Sequence, residues 1–252
     1  MRSFAEEYIY VRLQSPKPYE KGLPSIFIHG VYKRSRYDCF MLKYDTPVWL
    51  HAGSTGKGSE LDEARAYGTG TPLSLPRQTH SDHVQYVSEA GRPDDTDAVF
   101  TDVPGLCIAV KTADCIPVLL YDRHRRCVAA IHAGWKGTVQ NIVGKTIIAM
   151  QSRGEDLSAI IGPGISLESF EVGDEVYERF LIQRFPMERI ARRWSSGKWH
   201  IDLWDANRWI LEQCGVKDIY TAGVDTKTSP LFYSARRETI NTGRNYNWIE
   251  IL

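Results

Sequence analysis

The sequence predicts an α+β fold of mixed α/β layers, with residues 1–252 forming one domain. Three observations lead there. The chain is 252 residues long and 42% hydrophobic, enough to bury a sizeable core within one or two domains. The stretch 97–132 holds four short apolar runs separated by turns. The helical patterns elsewhere do not alternate with strands as regular βαβ units, which disfavours a doubly wound parallel sheet.

Along the chain, GSTGKGS at 53–59 reads as a surface loop, and GSELDEARAYG after it as a short helix with Ser59 as N-cap and Asp62 three residues on. GKGS lacks the full spacing of a phosphate loop. Asp97–Thr101, Leu106–Lys111, Ile116–Tyr121 and Cys127–His132 read as strands rich in Val, Ile, Leu and Ala. Pro104-Gly105 and the polar stretch 122–125 supply turns between them, and the last two runs fit a hairpin. Val139, Ile142, Val143, Thr146, Ile147 and Met150 recur at three- and four-residue spacing, giving a helix with one apolar stripe that stops by Gly154. Ala159–Ile161 and Ile219–Val224 read as strands, Gly173–Phe185 and Asp202–Cys214 as helices, the latter started by Asp202 and stopped by Gly215.

Composition excludes several classes. Lys plus Arg equals Asp plus Glu, 31 each, so the basic surplus of a general nucleic-acid binder is missing. No stretch approaches the roughly 20 apolar residues that span a bilayer, and the N-terminal sequence does not read as a secretory signal. Five cysteines, an odd and scattered set, fit a reduced cytoplasmic chain. A monomer or small homo-oligomer is expected.

Chemistry gathers in three segments: Arg77–His80, Thr112–Pro117 and Ile131–Gly137. Cys115 opens one strand and His132 closes the next. Antiparallel pairing through the turn at 122–126 puts both at the same end of the sheet. His80 must reach them through tertiary folding. One thiolate and two imidazoles suit zinc or copper, and three protein ligands leave a coordination position open. A Cys–His hydrolase with Cys115 as nucleophile and His132 as base fits the same pair. Asp114, beside Cys115, is a candidate for proton transfer or for a structural role, as an acceptor of backbone N–H groups or a partner of a ligand histidine.

Taken together, RQTHSDHV, TDVPGLCIAVKTADCIPVLLYD and AAIHAGWKGT resemble the YfiH-type laccase-domain proteins, also called multicopper polyphenol oxidases and purine nucleoside phosphorylases. IIGPGIS at 160–166, EVGDEV at 171–176 and FYSARRETINTGR at 232–244 follow in the right order. The resemblance implies a metal, usually zinc, held by His80, Cys115 and His132. It also implies a layered α+β fold distantly like the catalytic domain of the cytotoxic necrotizing factors. The implied chemistry is phosphorolysis of adenosine, inosine, guanosine and methylthioadenosine together with adenosine deamination, with purine nucleoside and phosphate as partners. Copper-dependent oxidation of phenols and editing of peptidoglycan precursors are the alternatives attached to the family. For phosphorolysis, Lys136, Arg236, Arg237 and Arg244 are candidates to hold phosphate. For deamination, a metal-activated water attacking C6 of adenine needs a carboxylate, and Asp114 is the candidate. The chain departs from the family pattern at Lys136 (usually Arg), Gly164 and Asp225 (usually Cys) and at HGVYKRS, 29–35, which stands where an early Gly-Gly segment is usual. Trp135 is expected to pack against the following helix, and His83 to lie at the surface or behind the ligands.

Overall fold

The computed structural model describes residues 7–13, 28–34, 39–58, 71–195 and 197–252, with side chains from residue 41 onward. The strands are β1 (Glu7–Leu13), β2 (Ile28–Arg34), β3 (Cys39–Tyr44), β4 (Leu50–Thr55), β5 (Leu73–Ser74), β6 (Val84–Tyr86), β7 (Ala98–Thr101), β8 (Cys107–Thr112), β9 (Ile116–Asp122), β10 (Val128–Ala133), β11 (Leu157–Ile161), β12 (Glu171–Val172), β13 (Ala191–Arg193), β14 (Trp199–Ile201), β15 (Asp218–Thr221) and β16 (Asn245–Ile251). The helices are α1 (Trp135–Val139), α2 (Ile142–Met150), α3 (Asp174–Ile182), α4 (Met187–Ile190) and α5 (Leu203–Gln213).

Among the described residues these strands form a sheet ordered β1-β2-β3-β4-β16-β8-β5, a second ordered β15-β11-β9-β10-β7-β6, and a small third one, β12-β14-β13. The first two pack face to face. Leu42, Ile108, Val110 and Ile249 from one meet Val99, Leu119, Val128 and Ile160 from the other in a shared apolar layer. The opposite face of the second sheet is covered by helices: Ile116, Val118, Leu120, Ala129 and Ile131 pack with Ile142, Val143 and Ile147 of α2 and with Leu203, Ile210 and Leu211 of α5. The architecture is thus the layered α+β one expected.

This burial on two faces explains the sequence pattern. Every residue of β9 and β10 is buried, so both strands read as continuous apolar runs instead of alternating ones. The antiparallel β9–β10 pairing is present, with His132 opposite Pro117 and Ala133 opposite Ile116. The turn at 122–126 closes it, with the Asp122 carboxylate accepting from the N–H groups of His124 and Arg125.

Several local expectations need correction. Gly53–Thr55 is not loop but the buried end of β4. The small residues permit this: a Cβ on Gly53 would sit 2.7 Å from the Leu42 carbonyl oxygen and 3.0 Å from the Trp248 ring. The helix expected from Val139 begins earlier and is broken in two. Asn141, at φ +62°, separates α1 from α2, and its side chain accepts from Gly144 N. That helix stops at Met150, with Gln151 in the left-handed region, before Gly154 is reached. The helix from Gly173 ends at Ile182 rather than Phe185, and the late strand ends at Thr221 rather than Val224. The expected N-terminal helix within 58–68 lies outside the described residues, apart from Gly58 in a turn. Residues 28–34 of HGVYKRS and its lead-in form β2.

Candidate metal centre

β9 and β10 bring Cys115 and His132 to the same end of the second sheet, as the register requires. Cys115 precedes β9 in a turn where Asp114 has φ +97°, a backbone region that non-glycine residues rarely occupy. His132 lies within β10 and is only 4% exposed. His80 arrives from the segment ahead of β6, at φ +63°. The metal-capable atoms of His80, Cys115 and His132 all lie within 4.8 Å of one another. The Cys115 thiol is 3.8 Å from His80 Nε2, and the two imidazole rings meet edge to face, 4.9 Å between centroids.

This donor set fits a metal ion. Tetrahedral zinc at the usual bond lengths separates a sulfur and a nitrogen ligand by about 3.6 Å, close to the spacing of Cys115 and His80. The triad also runs from buried His132 through half-buried Cys115 to exposed His80, so one side opens to solvent. Gly134 lies flush against it. A Cβ there would come within 3.0 Å of the Cys115 sulfur and 3.2 Å of His80 Cδ2. The glycine of His-Ala-Gly-Trp thus leaves the space the ligands need.

The electrostatics favour a thiolate. Burial pushes the Cys115 thiol up, but the imidazoles of His132 and His80 outweigh it and bring the pKa down to about 6. Burial pushes His132 down, and the facing thiolate and the Asp97 carboxylate more than offset this, to about 9. A thiolate is the form that ligates metals and the form that acts as a nucleophile.

The residue that sequence reasoning did not assign to the site is Asp97. It is fully buried. Its Oδ1 accepts from His132 Nδ1 at 2.6 Å and from His80 N at 3.1 Å. Its Oδ2 accepts from Thr79 N at 2.9 Å, Ser81 N at 2.9 Å and the Ser81 hydroxyl at 2.8 Å. Burial raises its pKa, yet these donations, His132 foremost, hold it well below the usual carboxylate range. Donating Nδ1–H to a carboxylate leaves the lone pair of His132 Nε2 available to a metal ion. The one available signal was an acidic residue heading the apolar strand Ala98–Thr101.

Other candidates take different places. The carboxylate hydrogen-bonded to a ligand histidine is that of Asp97, not Asp114. Asp114 Oδ1 accepts from the Thr226 hydroxyl at 2.7 Å and Oδ2 from Arg236 N at 2.7 Å. Arg237 directs its guanidinium to the carbonyls of Thr226, Lys227, Ser229 and Phe232 and to Glu238. Arg244 directs its own to the carbonyls of Ile240, Thr242 and Gly243. Both brace the C-terminal segment through these contacts. Arg236 is exposed; its Nη1 donates to the Glu171 carbonyl, and its guanidinium stacks 5.5 Å from the Phe170 ring centre. Lys136 is exposed on α1, its ammonium 5.8 Å from the Trp135 ring centre. Trp135 opens α1 and packs, partly buried, against the core cluster beneath the helices. His83 is exposed and paired with Asp95.

Two of the departures, Gly164 and Asp225, lie behind the turn carrying Cys115. A Cβ on Gly164 would meet Ile116 Cδ1 at 2.4 Å. Asp225, bridged to Gly164, accepts from Ser166, Ser169, Lys227 and Thr228, closing one loop onto another.

A layered α+β fold with a thiolate and two imidazoles at the end of its central strands defines a class of metal-capable proteins. The family model described as multi-copper polyphenol oxidoreductase laccase matches residues 60–252, and this chain belongs to that family. Among its relatives, a purine nucleoside phosphorylase of Bacteroides thetaiotaomicron is 43% identical over 197 residues, covering 71% of this chain and 73% of the relative. Adenosine deaminase RL5, from an unknown prokaryotic organism, is 38% identical over 194 residues, covering 70% and 74%. The hypothetical protein YfiH of Bacillus licheniformis superposes with a TM-score of 0.77 at 25% identity, covering 87% of this chain and 98% of that one. Relatives named as purine nucleoside phosphorylase and adenosine deaminase support an enzyme within this family.

Proposed function

We propose that this protein is a zinc-dependent purine nucleoside phosphorylase that also deaminates adenosine, with the site at His80, Cys115 and His132. The observation that carries the reading is the gathering of those three ligand atoms within 4.8 Å, in a chain 43% identical to a named purine nucleoside phosphorylase. Three protein ligands suit catalytic zinc, which keeps a position open. Held by those three residues, the ion would supply Lewis acidity.

The chain's own residues do the rest. Asp97 holds His132 in the tautomer that presents Nε2. Gly134 keeps the approach to Cys115 and His80 clear. Phosphorolysis requires cations to hold phosphate while positive charge builds at the ribose C1′. Arg236 and Lys136 fill that part. Both are exposed, and the Asp114 carboxylate ties the Arg236 backbone to the turn carrying Cys115. Asp114, with both oxygens receiving hydrogen bonds, serves as this tie in phosphorolysis and remains the carboxylate assigned to proton transfer in deamination. We place the reaction in the cytoplasm, in a monomer or small homo-oligomer spanning residues 1–252. Among the described residues, no helix is long and apolar enough to cross a membrane.

A second reading has its own observation. Asp97, His132 and Cys115 stand in the order acid, base, nucleophile, with a 2.6 Å hydrogen bond between the first two, the arrangement of a cysteine hydrolase. A copper oxidase of phenols draws on the family description but has fewer histidines to offer, seven in the whole chain. The test is incubation of zinc-loaded protein with adenosine, with and without phosphate, and resolution of the products. Free base and ribose 1-phosphate formed only with phosphate support phosphorylase action, and inosine or hypoxanthine supports deamination. No purine turnover by the zinc-loaded protein overturns the reading.

A further inference from the structure

We infer that Asp97 is a positioning residue that sets both histidine ligands at once, so that one buried carboxylate makes a metal site out of two separate segments. The inference rests on the reading that the triad holds a metal.

Three consecutive backbone N–H groups, those of Thr79, His80 and Ser81, point at the Asp97 carboxylate. Successive N–H groups curl into an anion-binding concavity when one residue enters the left-handed region, and His80 is that residue, at φ +63°. Such a conformation is strained for a histidine. The carboxylate in the concavity offsets that strain. The same carboxylate reaches the other way. Its Oδ1 takes the Nδ1 proton of His132, and the Asp97 carbonyl takes the His132 N–H at 2.8 Å. The exposed histidine and the buried histidine are therefore referenced to one carboxylate that lies outside the His80, Cys115 and His132 triad. The Ser81 hydroxyl adds a fifth donor at 2.8 Å. These five donors, with the Thr79 hydroxyl farther off at 3.5 Å, fix the orientation of the carboxylate.

The consequence is specific. In Asp97→Asn, one oxygen becomes an NH2 group. It can still receive the His132 proton through the remaining oxygen, but then the NH2 faces the N–H groups of Thr79 and Ser81. The turn carrying His80 must open. Loss of such a partner costs ~10–100-fold in metal affinity.

The test is cobalt(II) titration of metal-stripped wild type, Asp97→Asn and Ser81→Ala, with affinity measured by chelator competition and geometry by the visible cobalt bands. Near-ultraviolet circular dichroism reports the folded fraction of each. The expected result is a ~10–100-fold weaker affinity in folded Asp97→Asn with altered cobalt bands. A smaller loss in the same direction is expected in Ser81→Ala, which keeps the charge and loses one donor. If Asp97→Asn does not fold, Ser81→Ala decides alone. Folded variants with wild-type affinity and bands overturn the inference and leave the metal reading standing. A wild type that binds no cobalt overturns the metal reading beneath it.

Discussion

At the residue scale, the site depends on one side chain that is absent. Gly134 sits 3.0 Å, measured from where its Cβ would be, from the Cys115 sulfur. Gly134→Ala is expected to displace Cys115 and His80 and to lower metal affinity, while the melting temperature of the metal-free protein moves little. Metal titration alongside thermal unfolding checks both halves. The two adjacent arginines separate in the same way. Arg236→Ala is expected to raise KM for phosphate and keep the fold, because its guanidinium has one carbonyl partner. Arg237→Ala is expected to destabilise the protein, because it strips four carbonyls of a donor. Steady-state kinetics with varied phosphate, together with chemical unfolding, tells the two outcomes apart. The sequence alone could not separate them, since both lie in Ala-Arg-Arg-Glu and only the fold shows which one turns inward.

At the element scale, the strands that place Cys115 and His132 were legible because β9 and β10 are buried on both faces and are punctuated by a polar turn. The same logic failed where burial is carried by small or polar residues. β4 ends in Gly-Ser-Thr, and its Ser54 bonds with Tyr44 and Asn247 inside the protein, so the segment read as loop. The break between α1 and α2 was hidden because the apolar spacing continues through it, while the interruption comes from the backbone of Asn141. Asn141→Ala removes the cap and forces alanine into the left-handed region. It is expected to cost ~1 kcal/mol or more, a fall of roughly 2–4 °C or more in Tm for a chain of this size, measurable by calorimetry. His80 and Asp97 were the least legible, because their meeting depends on a turn conformation that no periodicity encodes.

Across the whole molecule, the C-terminal segment closes the fold. β16 lies between β4 and β8, and ahead of it Glu238 joins Lys57, Thr242 and Arg237. Those partners, Lys57 foremost, hold the Glu238 carboxyl down at about 2. A carboxylate with a depressed folded pKa stabilises above its unfolded value, about 4.3. That stabilisation is lost as pH falls from there toward 2. Glu238→Gln is therefore expected to be less stable than wild type at pH 7, with the gap closing near pH 2. Urea unfolding at the two pH values checks the sign; the effect is modest because the pair is largely solvated.

His80, Cys115 and His132 are proposed to form one metal site. Metal content after zinc loading and exhaustive dialysis tests it most directly, on wild type, Cys115→Ser and His80→Ala. About one tightly held ion per wild-type chain is expected, the number a single three-ligand site holds, with loss of that ion from both variants. A wild type that retains none, or a Cys115→Ser variant that retains as much as wild type, would contradict it.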